Sequence, residues 1–486
     1  MNLLTWGRLL LYFATTSGAG YVFLRLFRFP YSPLVHNWAT CYMAGQLVVL
    51  ILTLFTVFLS GWLLPLMWLF LGVSALVSLL PAKTADPRRG NAISSVARQA
   101  GMALLWTVGA LAVFPDVAIL VQQVPLYESD ARSCWFFHGK ALYLAGGVDP
   151  SFFTNPLYAW SLPDYPLLLP SSAAWMAFCQ GGWDDYSSKA FLLLNFASYA
   201  CLFYVALGEK GYPWWIRAFV VVVLLDQETY SYLSGFADNH YIMPLVLFFF
   251  LLSLPEKRRH IPLLMLLVVY AANMKNEGKM YAILICAGAA AFWFARRLAG
   301  RRAAADSGAG EAGRWERWGK PAIWGLALGA LPLVLWESFK NACGIANPVG
   351  IVRKLADVDR LWRLLAERAG VVSDYMIGFY DFKGAPYVIA LILLLLVWRV
   401  LLHRRQSSPA LRVRPHEGAA LLLFAACNVF AFLAYVVTPL DLKFHLGTSA
   451  GRVLFLPYMA LLLLAVYGAE ALYAHAAARF QVSGGP

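Results

Sequence analysis

Long apolar runs constrain this chain more than any other feature of its sequence. Stretches such as APYVIALILLLLVW, 385–398, carry no charge at all. Many runs reach the roughly 17–25 residues with which a helix crosses a bilayer. Backbone polar groups in hydrocarbon must pair within their own segment, so such spans are helices. The runs are continuous rather than alternating, which disfavours a β-barrel. Composition agrees: of 486 residues, 60% are hydrophobic and 13% charged, where a soluble domain carries about 25% charged residues. The sequence therefore reads as an all-α polytopic membrane protein.

Apolar runs near 6–24, 39–59, 62–80, 100–122, 188–208, 214–233, 241–254, 261–274, 280–295, 321–337, 385–402, 417–437 and 453–474 predict about 12–13 transmembrane helices. The first is read as an anchor rather than a cleaved signal, because further spans follow it. Basic clusters lie at 83–89, 256–260, 295–302 and 398–406. Placing these on the cytoplasmic side orients the whole set by the usual loop-charge bias. The net charge of +13 is then orienting charge in short loops, not a nucleic-acid surface. Residues 165–182, with Pro166 and Pro170 near their start, must lie on the membrane or re-enter it rather than cross. Five regions result. Residues 1–123 are N-terminal helices, and 124–187 form a first large extracytoplasmic loop with amphipathic helices. Central helices occupy 188–337, a second extracytoplasmic segment 338–384, and C-terminal helices 385–486. The seven cysteines stand singly, with neither metal-ligand nor disulfide spacing.

Ionisable groups at membrane depth are costly and mark functional sites. Five clusters fall on the face opposite the basic loops. In YESDARSCWFFHGKALY, Glu128 and Asp130 open a helix, with Ser129 as N-cap. Helix-start stabilisation and a Glu128–Arg132 pair account for these acids equally well. In WSLPDYPLLLP, Asp164 and Tyr165 sit in a proline-bounded turn. Asp238 and His240 stand at the entrance of a span in SGFADNHY. NMKNEGKMY holds Lys275, Glu277 and Lys279 between two apolar runs. Finally, DLKFHLGTSAGR brings Asp441, His445 and Arg452 before the last span. Together they offer carboxylates as bases and cations for phosphate. That set suits transfer from a lipid phosphate, where the leaving group is already good and the acceptor hydroxyl needs a base.

The order SDARSCWFFHGKALY, PDYPLLLP, FADNHY, MKNEG and DLKFHLGTSAGR resembles the membrane-embedded GT-C glycosyltransferases, over roughly 100–460. The likeness is to bacterial members related to the aminoarabinose and protein O-mannosyl transferases. The resemblance implies a GT-C-like bundle with extracytoplasmic loop helices and a polyprenyl-phosphate-sugar donor. It also implies an inverting mechanism and an active site on the periplasmic face of the bacterial inner membrane. It maps the catalytic acid onto Asp130, with Glu128 second, and the donor-phosphate cations onto Lys275 and Arg452. Asp164, Tyr165, Asp238, His240, Glu277 and His445 become substrate-binding candidates. The chain has Glu-Ser-Asp where the mannosyl branch has adjacent Asp-Glu, which weakens a protein O-mannosylation reading. The acceptor is a glycan, a lipid or a protein. A divalent metal is compatible with the acids but not dictated by them. Two alternatives use similar groups: a transporter or flippase for a lipid-linked saccharide, and a membrane polysaccharide polymerase or ligase.

Overall fold

The computed structural model describes residues 3–26, 34–35, 37–58, 128–226, 234–254, 260–288, 329–345, 357–406 and 414–483, with isolated positions between them. Among these residues every regular element is helical. Six helices are long and apolar enough to cross a membrane: Trp6–Leu26, Trp38–Phe55, Ser187–Glu209, Ala385–Leu402, His416–Val436 and Leu442–His475. The chain is thus an all-α polytopic membrane protein. The expected spans at 62–80 and 100–122, and the cytoplasmic linker at 303–319, lie outside the described residues.

Two compact units form, 1–346 and 347–486. In the first, α1 (Leu3–Leu26) and α2 (Trp38–Phe55) pack backbone to backbone. A Cβ on Gly20 would strike the carbonyl of Cys41, and one on Gly45 that of Thr16. Small residues let membrane helices approach this closely. Next come α3 (Phe136–Ala145) and α4 (Leu168–Gln180). Gly139 of α3 sits against α4, with space for a Cβ only 3.0 Å from that of Ala173. Helix α4 has 13 residues, about 20 Å of rise, short of the roughly 30 Å hydrocarbon core. It is not among the helices long and apolar enough to cross a membrane. It is also buried along nearly its whole length, so it is enclosed by protein rather than laid on the surface.

The expected surface helix after Asp130 also packs inward. His138 is fully buried, its Nε2 lies 3.0 Å from the Ser161 hydroxyl, and burial pushes its pKa down to about 3. The Ser161 hydroxyl donates to the Tyr158 carbonyl, so the imidazole must donate from Nε2. Desolvation keeps this ring neutral, which makes it a packing residue.

The first unit continues with α5 (Phe191–Glu209), α6 (Trp214–Asp226), α7 (Asp238–Leu252) and α8 (Ile261–Met274). Helices α9 (276–288) and α10 (329–343) follow among the described residues.

The second unit holds α11 (Val358–Phe382), α12 (Ala385–Gln406), α13 (Pro415–Val436), α14 (Leu442–Val453) and α15 (Phe455–Ser483). Val372, Met376, Tyr435, Leu446 and Leu454 form its core. On α12, Leu393, Leu394, Val397 and Trp398 face outward, the pattern of a helix solvated by lipid. Arg399 escapes that fate by pairing with Glu417 at 3.0 Å, both buried.

Candidate functional site

Helix ends in the first unit bring the sequence-distant polar groups together. The entry segment begins a helix at Ser129, so that residue lies inside the first turn instead of capping it. Asp130 is half-buried and gives no side-chain cap. One turn of π-helix follows, Ala131–Trp135, a local irregularity that often accompanies functional sites. Gly235 seats this turn. Its φ is +97°, and a Cβ there would come within 2.9 Å of both Ala131 and Phe136. Glycine is required on both counts, and the contact sets the entrance of α7 beside Asp130.

Cys134 feels several of these groups at once. Burial pushes its thiol pKa well up. Asp130, Asp164 and Glu277 push it further in the same direction, while Lys275 opposes them. Four ionisable groups from three segments therefore act on one thiol. Tyr165 tells the same story: burial raises its hydroxyl pKa, with Glu277, Cys134, Asp164 and Asp238 adding to the effect. Its ring meets Trp135 edge-on at 4.9 Å.

Lys275 is the single extended residue, φ −154° and ψ 158°, between α8 and α9. A Cβ on Gly278 would collide with the Ala271 carbonyl, so glycine permits this tight joint. Lys275 Nζ lies 2.7 Å from Asp238 Oδ1 and 3.4 Å from Glu277 Oε1, with the lysine 8% and the aspartate 1% exposed. A pair this buried needs both members, since either alone would be an uncompensated charge. The Lys275 charge is thus already engaged by protein carboxylates.

Asp164 is different. Its backbone stands in a strained turn, where Leu162 has φ +56° although it precedes a proline. The Asp164 carbonyl accepts from Trp336 Nε1 at 3.3 Å, and its Oδ2 accepts from the Asn276 amide at 2.9 Å. Its Oδ1 is buried with no hydrogen-bond partner, although the residue is only 1% exposed. Desolvation raises its pKa to about 6, opposed by Asn276, Lys340 and Lys279. Beside it, Glu337 bridges two lysines: Lys279 at 2.5 Å and Lys340 at 2.8 Å. Next to this group Phe339 stacks on Trp336, and Phe153 meets both rings edge-on, with centroids 5.3–6.1 Å apart. Lys340 and Glu337 carry no signal in the sequence beyond a spacing of three in WESFKNAC. They become visible only once α10 meets α9.

Other candidates fall elsewhere. His240, two residues from Asp238, enters a neutral network that includes Asn195 and Tyr199, each 3.4 Å from its Nδ1. That network centres on Gln46 and is fully buried. His445 and Arg452 belong to the second unit. There the His445 Nδ1 meets the Thr438 hydroxyl at 2.8 Å, and Arg452 donates to the Thr448 carbonyl of its own helix at 3.0 Å. Glu128 is half-buried at the start of the π-turn segment, its carbonyl accepting from the Arg132 amide. Among the described residues no three metal-ligating side chains cluster.

Comparison of the chain with protein-family models, with curated proteins and with solved structures gives no match.

Proposed function

We propose that this membrane protein is a glycosyltransferase. It moves a sugar from a polyprenyl-phosphate donor to an acceptor hydroxyl at the extracytoplasmic face of a bacterial cytoplasmic membrane. One observation carries the reading: acids and ammonium groups from separate segments converge at helix ends, and one buried carboxylate, Asp164, has an unspent oxygen. A base must accept a proton near operating pH, and a carboxylate with pKa about 6 suits that work. Asp164 thereby joins Asp130 and Glu128 as a candidate base. In the reaction the acceptor oxygen loses its proton to the carboxylate and bonds to the anomeric carbon. The bond from that carbon to the phosphate oxygen breaks, and the lipid phosphate leaves with the electron pair. Attack from the opposite side inverts the sugar. The aromatic layer at Phe153, Trp336 and Phe339 suits a sugar face or a prenyl tail.

The test compares envelope lipids and glycans, by mass spectrometry, from cells with and without the protein. A transferase leaves an acceptor unmodified and its sugar donor accumulated in the deleted strain. Unchanged glycans and donor pools contradict the proposal.

A second reading, transport of a lipid-linked saccharide, draws on the Gln46 network within the span Trp38–Phe55. Vesicles holding donor in one leaflet separate the two: a flippase exposes the sugar intact, whereas a transferase releases polyprenyl phosphate.

A further inference from the structure

The proposed reaction needs a place for the departing phosphate, and Lys275, already neutralised by Asp238, is poorly suited to it. A different pair of cations stands close by. Lys279 on α9 and Lys340 on α10 approach the two separate oxygens of one carboxylate, Oε1 and Oε2 of Glu337. Two ammonium groups gripping two oxygens of one small anion is the arrangement a phosphomonoester needs. The two lysines outnumber Glu337, and once Glu337 turns away their charge exceeds that of the neighbouring Asp164. Burial separates the partners as well. The lysine side chains are 19% and 8% exposed, whereas Glu337 is 43% exposed. The carboxylate lies nearest solvent and can turn out to it as an anion takes its place on the lysines, which are held in the protein. A second observation points to a ligand at the same place. Lys279 and Lys340 both act on Asp164, and the buried Asp164 Oδ1 has no partner. An anion held by the lysines brings its ester group beside the carboxylate that is free to take a proton.

We propose that Lys279 and Lys340 form the binding site for a phosphomonoester headgroup, and that Glu337 is a built-in placeholder displaced when the headgroup enters. The inference rests on the transferase reading for its phosphate chemistry. The placeholder keeps two buried cations paired in the empty protein, and it sets a competition that the ligand must win.

That competition makes the test distinctive. Binding of farnesyl phosphate and of inorganic phosphate is measured by calorimetry on the full-length protein in nanodiscs. The proteins compared are the wild type, Glu337→Gln, Lys279→Met and Lys340→Met, each checked for its melting temperature. Glu337→Gln removes the competitor and should tighten farnesyl phosphate by about tenfold, the size of one charge-assisted contact. Each lysine variant should weaken it by about tenfold or more. A purely structural ion pair predicts the reverse for Glu337→Gln, no gain or a loss, and that result overturns the proposal. Should a lysine variant lose its fold, the Glu337→Gln result alone decides. Preference for farnesyl phosphate over inorganic phosphate assigns the site to a lipid headgroup, and equal binding assigns it to free phosphate. Tightening by Glu337→Gln in a protein without sugar transfer keeps the anion site and rejects the transferase. Transfer with farnesyl phosphate affinity unchanged in all three variants keeps the transferase and rejects this site.

Discussion

Helix α7 touches two polar networks within its first turn, and they are built on opposite plans. His240 joins the neutral one. There Gln46 Nε2 lies 3.0–3.3 Å from Asn195, Tyr42, Tyr12 and Ser172, and its Oε1 accepts from Tyr270. An amide nitrogen has two protons, so four neighbours crowd more acceptors around it than it can serve. The remaining hydroxyls bond one another or backbone, as Tyr42 does with the Phe191 carbonyl at 3.2 Å. Every member is buried, and no carboxylate, lysine or arginine is among them. Such a network fixes the register of helices in lipid, where an unpaired polar group is expensive. Two residues earlier, Asp238 joins the charged network. It is also buried, but it carries surplus capacity: an unpartnered oxygen on Asp164, another on Glu277, and a carboxylate, Glu337, within reach of solvent. The neutral network is saturated, and the charged one keeps spare carboxylate oxygens. Burial by itself distinguishes neither.

Substitutions can break that contrast. The largest effect is expected from Asp164→Asn, which removes the proton acceptor and keeps the shape. Sugar transfer should fall by about 10²–10⁴-fold, the usual contribution of a general base, with the melting temperature at neutral pH unchanged or raised. A variant that unfolds would make Asp164 a structural residue instead. Next comes Lys275→Met, which strands Asp238 as a buried charge. It should cost about 3–5 kcal/mol of stability, with much of the loss recovered in the double variant Asp238→Leu, Lys275→Met. Thermal unfolding of the three proteins checks this, and an additive double variant would show that the two charges are independent. Gln46→Leu should cost least, about 1–3 kcal/mol for the polar partners it abandons. Its turnover per folded molecule should match the wild type. A loss of turnover there, with the fold intact, would move the neutral network into the functional machinery and favour transport.

Much of the architecture was legible in the apolar runs. The run 261–274 coincides with α8 at both ends, because His260 and Lys275 bound it sharply. The prolines and short length of 165–182 fit the short helix α4, although its burial along nearly its whole length is not readable in the sequence, since its packing partners lie far away. Asp130, Asp164, Asp238, Lys275 and Glu277 were each suspect as charges beside apolar runs, and they do converge. What periodicity could not reveal was their division of labour. Asp238 and Lys275 neutralise one another across 37 residues, His240 turns into a different network, and Glu337 with Lys340 looked like an ordinary charged helix end. Gln46 was hidden for the opposite reason, as one amide in an apolar run whose partners come from four other segments. His138 lies in the loop expected to carry amphipathic helices, and its full burial makes it core.

The pH dependence of sugar transfer tests the account most directly. Asp164 is raised to about 6 from the roughly 3.9 of an exposed aspartate. Between those values the folded protein holds a proton that the unfolded chain has released. Stability therefore falls as pH rises through that window, and the ionised base appears only above it. Purified protein in proteoliposomes, supplied with a polyprenyl-phosphate sugar and the acceptor found by mass spectrometry, should release polyprenyl phosphate at a rate that climbs through about pH 6 and then levels. Asp164→Asn should flatten that profile near background. A wild-type rate already at its plateau at pH 4.5, or an Asp164→Asn protein that keeps the pH 6 inflection, would contradict the assignment of Asp164 as the base.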